Sequence, residues 1–111
     1  MDRELKRGTL DMVLLRLLSE REMYGYELVA AVEERTRGAI EVGGGTMYPV
    51  LYRLEQAGHV EPRWETPERG AARKYYRLTA EGARELERLV AEWRAFAQGM
   101  DRLLDGEKVP R

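Results

Sequence analysis

Gly43-Gly44-Gly45-Thr46-Met47-Tyr48-Pro49-Val50-Leu51-Tyr52-Arg53-Leu54-Glu55-Gln56-Ala57-Gly58 is the stretch whose reading decides the fold. Met47, Val50, Leu51 and Leu54 fall at i, i+3, i+4 and i+7, which is a single apolar stripe along a helix. Thr46 suits the N-cap, Pro49 falls in the first turn where a missing backbone N–H costs little, and Gly58 suits the C-terminal stop. Tyr48, Tyr52, Arg53 and Gln56 lie on the opposite face.

Toward the C-terminus, His59 to Trp64 alternates with period two, with Val60, Pro62 and Trp64 on one side and His59, Glu61 and Arg63 on the other, as an edge strand that tolerates a proline would. Thr66 to Ala72, with Pro67 and Gly70, reads as a hairpin loop, and Arg73 to Leu78 as the return strand with Tyr76 and Leu78 inward. Toward the N-terminus, Leu10 to Leu18 is apolar on nearly every side, as a central helix would be. A polar connection, Ser19 to Glu22, leads to a second helix that starts at Tyr24-Gly25-Tyr26, carries Leu28, Ala31 and Val32 at i, i+3, i+4 spacing, and ends at Gly38. Ile40 and Val42 alternate as a short strand would. Three helices followed by a basic-tipped hairpin is the element order of a winged helix-turn-helix, mainly α with a small β-hairpin.

After the hairpin, Thr79 caps a last helix whose apolar residues form the seven-residue series Ala83, Val90, Ala97, Leu104 and Leu86, Trp93, Met100. Leu89, Phe96 and Leu103 widen that stripe. From Ala80 to Leu104 the helix would be about 37 Å long at about 1.5 Å per residue, too long for so small a domain, so part of it projects and its stripe needs a partner chain. The expected division is a DNA-binding unit over residues 1–78, a dimerisation helix over 79–104 and a frayed tail over 105–111.

The 111 residues are enough for one domain that buries roughly two-thirds of its unfolded surface. With 43% hydrophobic and 35% charged residues, the composition is that of a packed protein rich in charged helices. The absence of cysteine removes disulfides, thiolate metal sites and cysteine nucleophiles. The charged segment Met1 to Arg7 and the short, interrupted run that follows make neither a signal peptide nor a membrane span, so the expected location is the cytoplasm and no membrane partner is expected. The net charge is −1, yet between Arg69 and Arg77 there are cations at 69, 73, 74 and 77 and no acid. A local basic patch on a near-neutral protein is what a reader of a DNA groove can use.

Tyr48, Tyr52 and Arg53 stand beside a helix N-terminus whose N–H groups and dipole favour phosphate, and Arg69, Arg73 and Lys74 can straddle the flanking phosphates. The plain alternative for both groups is a solvated surface. Trp93 is either a core tryptophan or, because Ala83, Val90 and Ala97 around it are small, half of a slot between symmetry-related indoles that admits a flat apolar ligand. His59 lacks companions for a metal site, no nucleophile–histidine constellation can be assembled, and the glycine triplet lacks the lysine of a phosphate-binding loop, so neither an enzyme nor a cofactor is expected. A competing class is a winged-helix module that binds protein partners through its tyrosine-rich face.

Three motifs, Tyr24-Gly25-Tyr26-Glu27-Leu28, Gly45 to Glu55, and Arg73-Lys74-Tyr75-Tyr76-Arg77-Leu78-Thr79 followed by Glu81-Gly82, occur jointly and in an order that resembles the PadR family of transcriptional regulators, over about Leu10 to Leu104. The resemblance implies a winged helix with one C-terminal dimerisation helix, a homodimer on a double-stranded inverted-repeat operator, and repression relieved by a small-molecule ligand. It implies DNA contacts from Thr46, Tyr48, Pro49, Tyr52, Arg53, Arg69, Arg73 and Lys74. The short chain is similar to the compact, multidrug-responsive subclass, which implies a planar aromatic or cationic ligand at Trp93, with Leu5, Gly8, Met12, Phe96 and Ala97 around it.

Overall fold

A computed structural model describes residues 3–106 and 108, and among them the side chains from residue 8 onward. The element order is α1 (Arg3–Glu20), β1 (Met23–Tyr24), α2 (Gly25–Arg35), α3 (Gly44–Gln56), β2 (Val60–Glu65), β3 (Arg73–Leu78) and α4 (Ala80–Leu104). Leu10, Leu14, Leu15, Leu17 and Leu18 of α1 are all buried because α2, α3, β3 and α4 pack around that helix. Met47, Val50, Leu51 and Leu54 bury the expected stripe of α3 against it, joined by Leu28, Val32, Val60 and Tyr76. Each such side chain stabilises the fold by roughly 1.5–3 kcal/mol, so this cluster holds α3 and the hairpin in one fixed relation.

The hairpin belongs to an antiparallel sheet of order β1-β3-β2, with Val60 opposite Leu78 and Glu65 opposite Arg73. β2 is therefore an edge strand, as Pro62 requires. The third strand is not the one expected. Met23–Tyr24 pairs with Tyr76 and Tyr75, where the sequence reading began α2. Ile40 and Val42 lie in a loop, because the Thr36 hydroxyl accepts the Ile40 N–H at 3.1 Å and β1 already occupies the open side of β3.

Two further expectations are corrected. α3 begins at Gly44 with Gly43 as N-cap, so Thr46 is not the cap and Pro49 lies inside the helix. Pro49 cannot donate to the Gly45 carbonyl four residues back, but Gly45 is exposed, and water can satisfy that carbonyl. α2 stops at Arg35, before Gly38: Arg37 and Gly38 both take positive φ, and their N–H groups reach back to the carbonyls of Glu34 and Glu33. Pro62 and Trp64 are exposed, Trp64 at 62%, because only the Val60 end of β2 reaches the core.

Thr79 does cap α4: its hydroxyl accepts the Gly82 N–H at 3.0 Å and donates to the Gly58 carbonyl at 2.6 Å. Gly82 abuts the His59 carbonyl so closely that no Cβ fits there. The hairpin and α4 are thereby locked to the end of α3. Leu86 and Leu89 then pack on the core, but from Trp93 onward every described side chain of α4 except Ala97 is exposed. The 25-residue helix helps extend the molecule to 67 Å in its longest dimension. No helix among the described residues is long and apolar enough to cross a membrane.

Candidate nucleic-acid interface

With its apolar stripe buried, α3 turns Thr46, Tyr48, Pro49, Tyr52 and Arg53 to solvent, Tyr48 at 51% and Tyr52 at 64% exposure. Tyr48 is exposed but not free to wander. A Cβ at Gly25 would lie 2.5–2.7 Å from its phenol ring, and one at Gly44 would lie 3.2 Å from it. The ring thus rests on a bare patch of backbone that only glycine provides, which ties the first sequence motif to the second. The N-terminal turn of α3 is made by Gly43, Gly44 and Gly45, and its first intrahelical bonds run from Thr46 and Met47 N–H to the Gly43 carbonyl at 3.1 and 3.0 Å. The amides before Thr46 sit at the positive end of the helix dipole, with Gly43 and Gly45 exposed and Gly44 half-buried beside the Tyr48 ring.

The cations near this face sort into two groups. Arg53 forms a two-pronged pair with Asp11 of α1, Nη1 to Oδ2 at 2.8 Å and Nη2 to Oδ1 at 2.7 Å, which pushes the guanidinium pKa up. Lys74 sets its ammonium 2.9 Å from Glu55 Oε1 on α3. That contact raises the Lys74 pKa and is the partner of an otherwise unsatisfied buried oxygen, without ideal hydrogen-bond angles. Arg77 pairs with Glu61 at 2.7 Å. Arg69 and Arg73 are exposed and, among the described residues, neither has a carboxylate within ion-pair distance. The basic run of the sequence therefore presents two uncancelled charges rather than four, because Glu55 and Glu61 lie on neighbouring elements.

Asp11, Gly25 and Glu55 are the residues that sequence reasoning missed here. Asp11 and Gly25 lie far in sequence from their partners Arg53 and Tyr48, and no spacing rule signals such pairs. Trp64 stands on the wing beside Lys74, whose ammonium lies 5.8 Å from the indole ring centroid.

A second feature lies between α1 and α4, a pocket of about 200 Å³ lined by Gly8, Thr9, Met12, Leu89, Glu92, Trp93 and Phe96. The Trp93 and Phe96 rings sit 6.0 Å apart, tilted by 37°. Of the expected ligand residues, Ala97 is half-buried outside this lining and Leu5 lies outside the described side chains. Of the expected seam, Leu86 and Val90 are half-buried, while Ala83, Met100 and Leu104 are exposed.

The model of the transcriptional regulator PadR-like family matches residues 14–88. A Lysinibacillus sphaericus protein designated X is 35% identical over 103 residues, 93% of this chain and 94% of its own. Transcriptional regulator Rv3488 of Mycobacterium tuberculosis is 32% identical over 80 residues, 72% of this chain and 71% of its own. The crystal structure of a PadR family transcriptional regulator from Eggerthella lenta has a TM-score of 0.81 at 38% identity, over 94% of this chain and 88% of that one. The winged helix with its long last helix and the match across most of the chain lead to one assignment: the protein belongs to the PadR-like family of transcriptional regulators, which act by binding DNA and are not enzymes.

Proposed function

We propose that this protein is a cytoplasmic, homodimeric repressor that binds an inverted-repeat operator and is released by a small planar aromatic or cationic ligand. The observation that carries the reading is the pairing of a tyrosine-bearing helix, open and glycine-flanked at its N-terminus, with a wing whose Arg69 and Arg73 keep uncancelled charge. Thr46, Tyr48 and Tyr52 offer hydroxyls to phosphates and base edges, Pro49 packs flat against the DNA backbone, and Arg69 and Arg73 neutralise flanking phosphates. Arg53 and Lys74, tied to Asp11 and Glu55, brace α3 against α1 and the wing while still facing the DNA side.

Residues 1–78 form the DNA-binding unit in this reading, and α4 pairs with its copy along Ala83, Leu86, Val90, Trp93, Ala97, Met100 and Leu104. The exposure of Phe96, Leu103 and Leu104, which such a pairing would cover, supports it. The pair spaces two recognition helices for successive major grooves roughly 34 Å apart. A planar ligand entering at Gly8, Met12, Trp93 and Phe96 shifts that spacing, provided it binds the two dimer geometries unequally.

A gel shift with the DNA upstream of the protein's own gene tests the DNA reading. A retarded complex at protein-dimer stoichiometry is expected, and the absence of any shift at low salt overturns it. Titrating Trp64→Phe with planar aromatic cations tests the ligand reading, since Trp93 is then the remaining fluorophore of its kind. Quenching and release of the DNA complex at the same ligand concentration are expected, whereas an unchanged signal across the panel leaves Trp93 as packing.

A further inference from the structure

The outer face of the sheet, opposite the buried Tyr76, carries a row of side chains in mutual contact. Arg63 of β2, Tyr75 of β3 and Tyr24 of β1 are register partners across the three strands. Their side chains follow the register: the Arg63 guanidinium lies 4.8 Å from the Tyr75 ring centroid, and Tyr75 meets Tyr24 edge to face at 5.4 Å. The row ends on the wing, where the guanidinium of Arg73 lies 5.0 Å from the Tyr24 centroid. Its other end is anchored by Glu22, 2.8 Å from Arg63. Tyr24 is itself fixed from below, as the N-cap residue of α2 whose N–H donates to Glu27 Oε1 at 3.2 Å.

We infer that Tyr24 is a positioning residue for the DNA contact of Arg73, holding the guanidinium in a set place by its ring face while leaving the positive charge available to a phosphate. The inference rests on the DNA-binding reading above. Its physical basis is the difference between the two ways this wing holds a cation. A carboxylate orients a cation and cancels its charge, as Glu55 does for Lys74 and Glu61 for Arg77. An aromatic face attracts the guanidinium through the ring quadrupole, carries no net charge, and leaves the edge N–H groups of the stacked plane pointing outward. An arginine already ordered in this way loses less side-chain freedom when it meets a phosphate. Tyr24 thereby links the first sequence motif to the wing, as Gly25 beside it links that motif to Tyr48.

The test is the affinity of the full-length protein for a fluorescein-labelled duplex from the DNA upstream of its own gene, measured by anisotropy across a salt series. Tyr24→Phe keeps the ring face and is expected to bind like wild type. Tyr24→Leu is expected to bind about three- to tenfold more weakly, with the slope of log affinity against log salt reduced by up to about 0.9. In an Arg73→Gln background the Tyr24→Leu change is expected to add nothing further, a readout that separates positioning from a general loss of fold. Circular dichroism melting on each variant keeps folding in view. Equal losses from Tyr24→Leu with and without Arg73, or an unchanged affinity in Tyr24→Leu, overturn the assignment while the DNA reading stands. A wild-type protein that fails to bind the duplex at any salt overturns the DNA reading itself and this assignment with it.

Discussion

The face of α3 and the distal half of α4 both expose aromatic side chains, and they differ in what surrounds them. On α3, Tyr48 rests on Gly25 and Gly44, and its neighbours Arg53 and Lys74 are clamped by Asp11 and Glu55. On α4, Trp93, Phe96, Met100, Leu103 and Leu104 stand exposed, the last two at 70% and 73%, and the polar residues between them occupy other faces of the helix. A hydroxylated ring on a braced surface is finished as it stands: it can meet water in the free protein and phosphate in a complex. A stripe of indole, phenyl and leucine gains nothing from water and is finished only by another apolar surface. One exposed region can thus exchange polar partners, and the other is the surface proposed to be covered.

The joint between the two regions is where a single atom has the largest effect. Gly82→Ala puts a Cβ into the His59 carbonyl, so α4 must shift away from the hairpin. A loss of about 3 kcal/mol or more is expected in urea unfolding, and a variant within about 1 kcal/mol of wild type would show that this junction yields easily. Next in size is Phe96→Asp, a charge on the surface proposed to be covered. Sedimentation should show the dimer weakened by about 2 kcal/mol or more with little change in the melting of the core. An unaltered mass would break the comparison, because both exposed regions would then be solvent surfaces.

Smaller effects are expected on the braced face. Gly25→Ala displaces the Tyr48 ring, which must move because a Cβ there lies 2.5–2.7 Å from its atoms. Stability should fall by about 1 kcal/mol, with a larger proportional fall in DNA affinity by anisotropy. Wild-type affinity would mean that Tyr48 contributes nothing to the contact. Asp11→Ala frees Arg53, and since that guanidinium is half-exposed the cost should be about 0.5–1 kcal/mol by urea unfolding. The loss should vanish in an Arg53→Ala background.

The smallest effect concerns pH. The Glu55 contact holds the Lys74 ammonium above its ordinary 10.5, against the opposing effect of burial. A raised folded-state value stabilises the protein below the unfolded value, and that contribution is lost as pH climbs through the folded value. Urea midpoints should therefore fall through the alkaline range, and Lys74→Met should flatten part of that fall. Burial also pushes Tyr76 up from 10.0, and its titration lowers stability in the same direction, so the comparison is best made in a Tyr76→Phe background.

Much of the fold was legible in the sequence because it depends on short-range periodicity. The stripe Met47, Val50, Leu51, Leu54, the bounds Arg73–Leu78 and the helix Ala80–Leu104 behind its Thr79 cap all follow from residues a few positions apart. The shifted start of α3 reflects three glycines whose lack of side chains made the first turn hard to read. The exposure of Trp64 reflects where the core happens to end, which alternation alone cannot tell.

By itself, then, the sequence determined a winged helix with a long last helix, a tyrosine face on α3 and a basic hairpin, since each is written in local spacing and capping. Only the tertiary structure decided how much of that basic charge is offered and how it is aimed. Glu55 and Glu61 cancel two cations, the Tyr24 ring holds a third, and Gly25 seats Tyr48. These partners come from other elements, and electrostatic and packing contacts act through space, so their pairing exists only once the chain has folded.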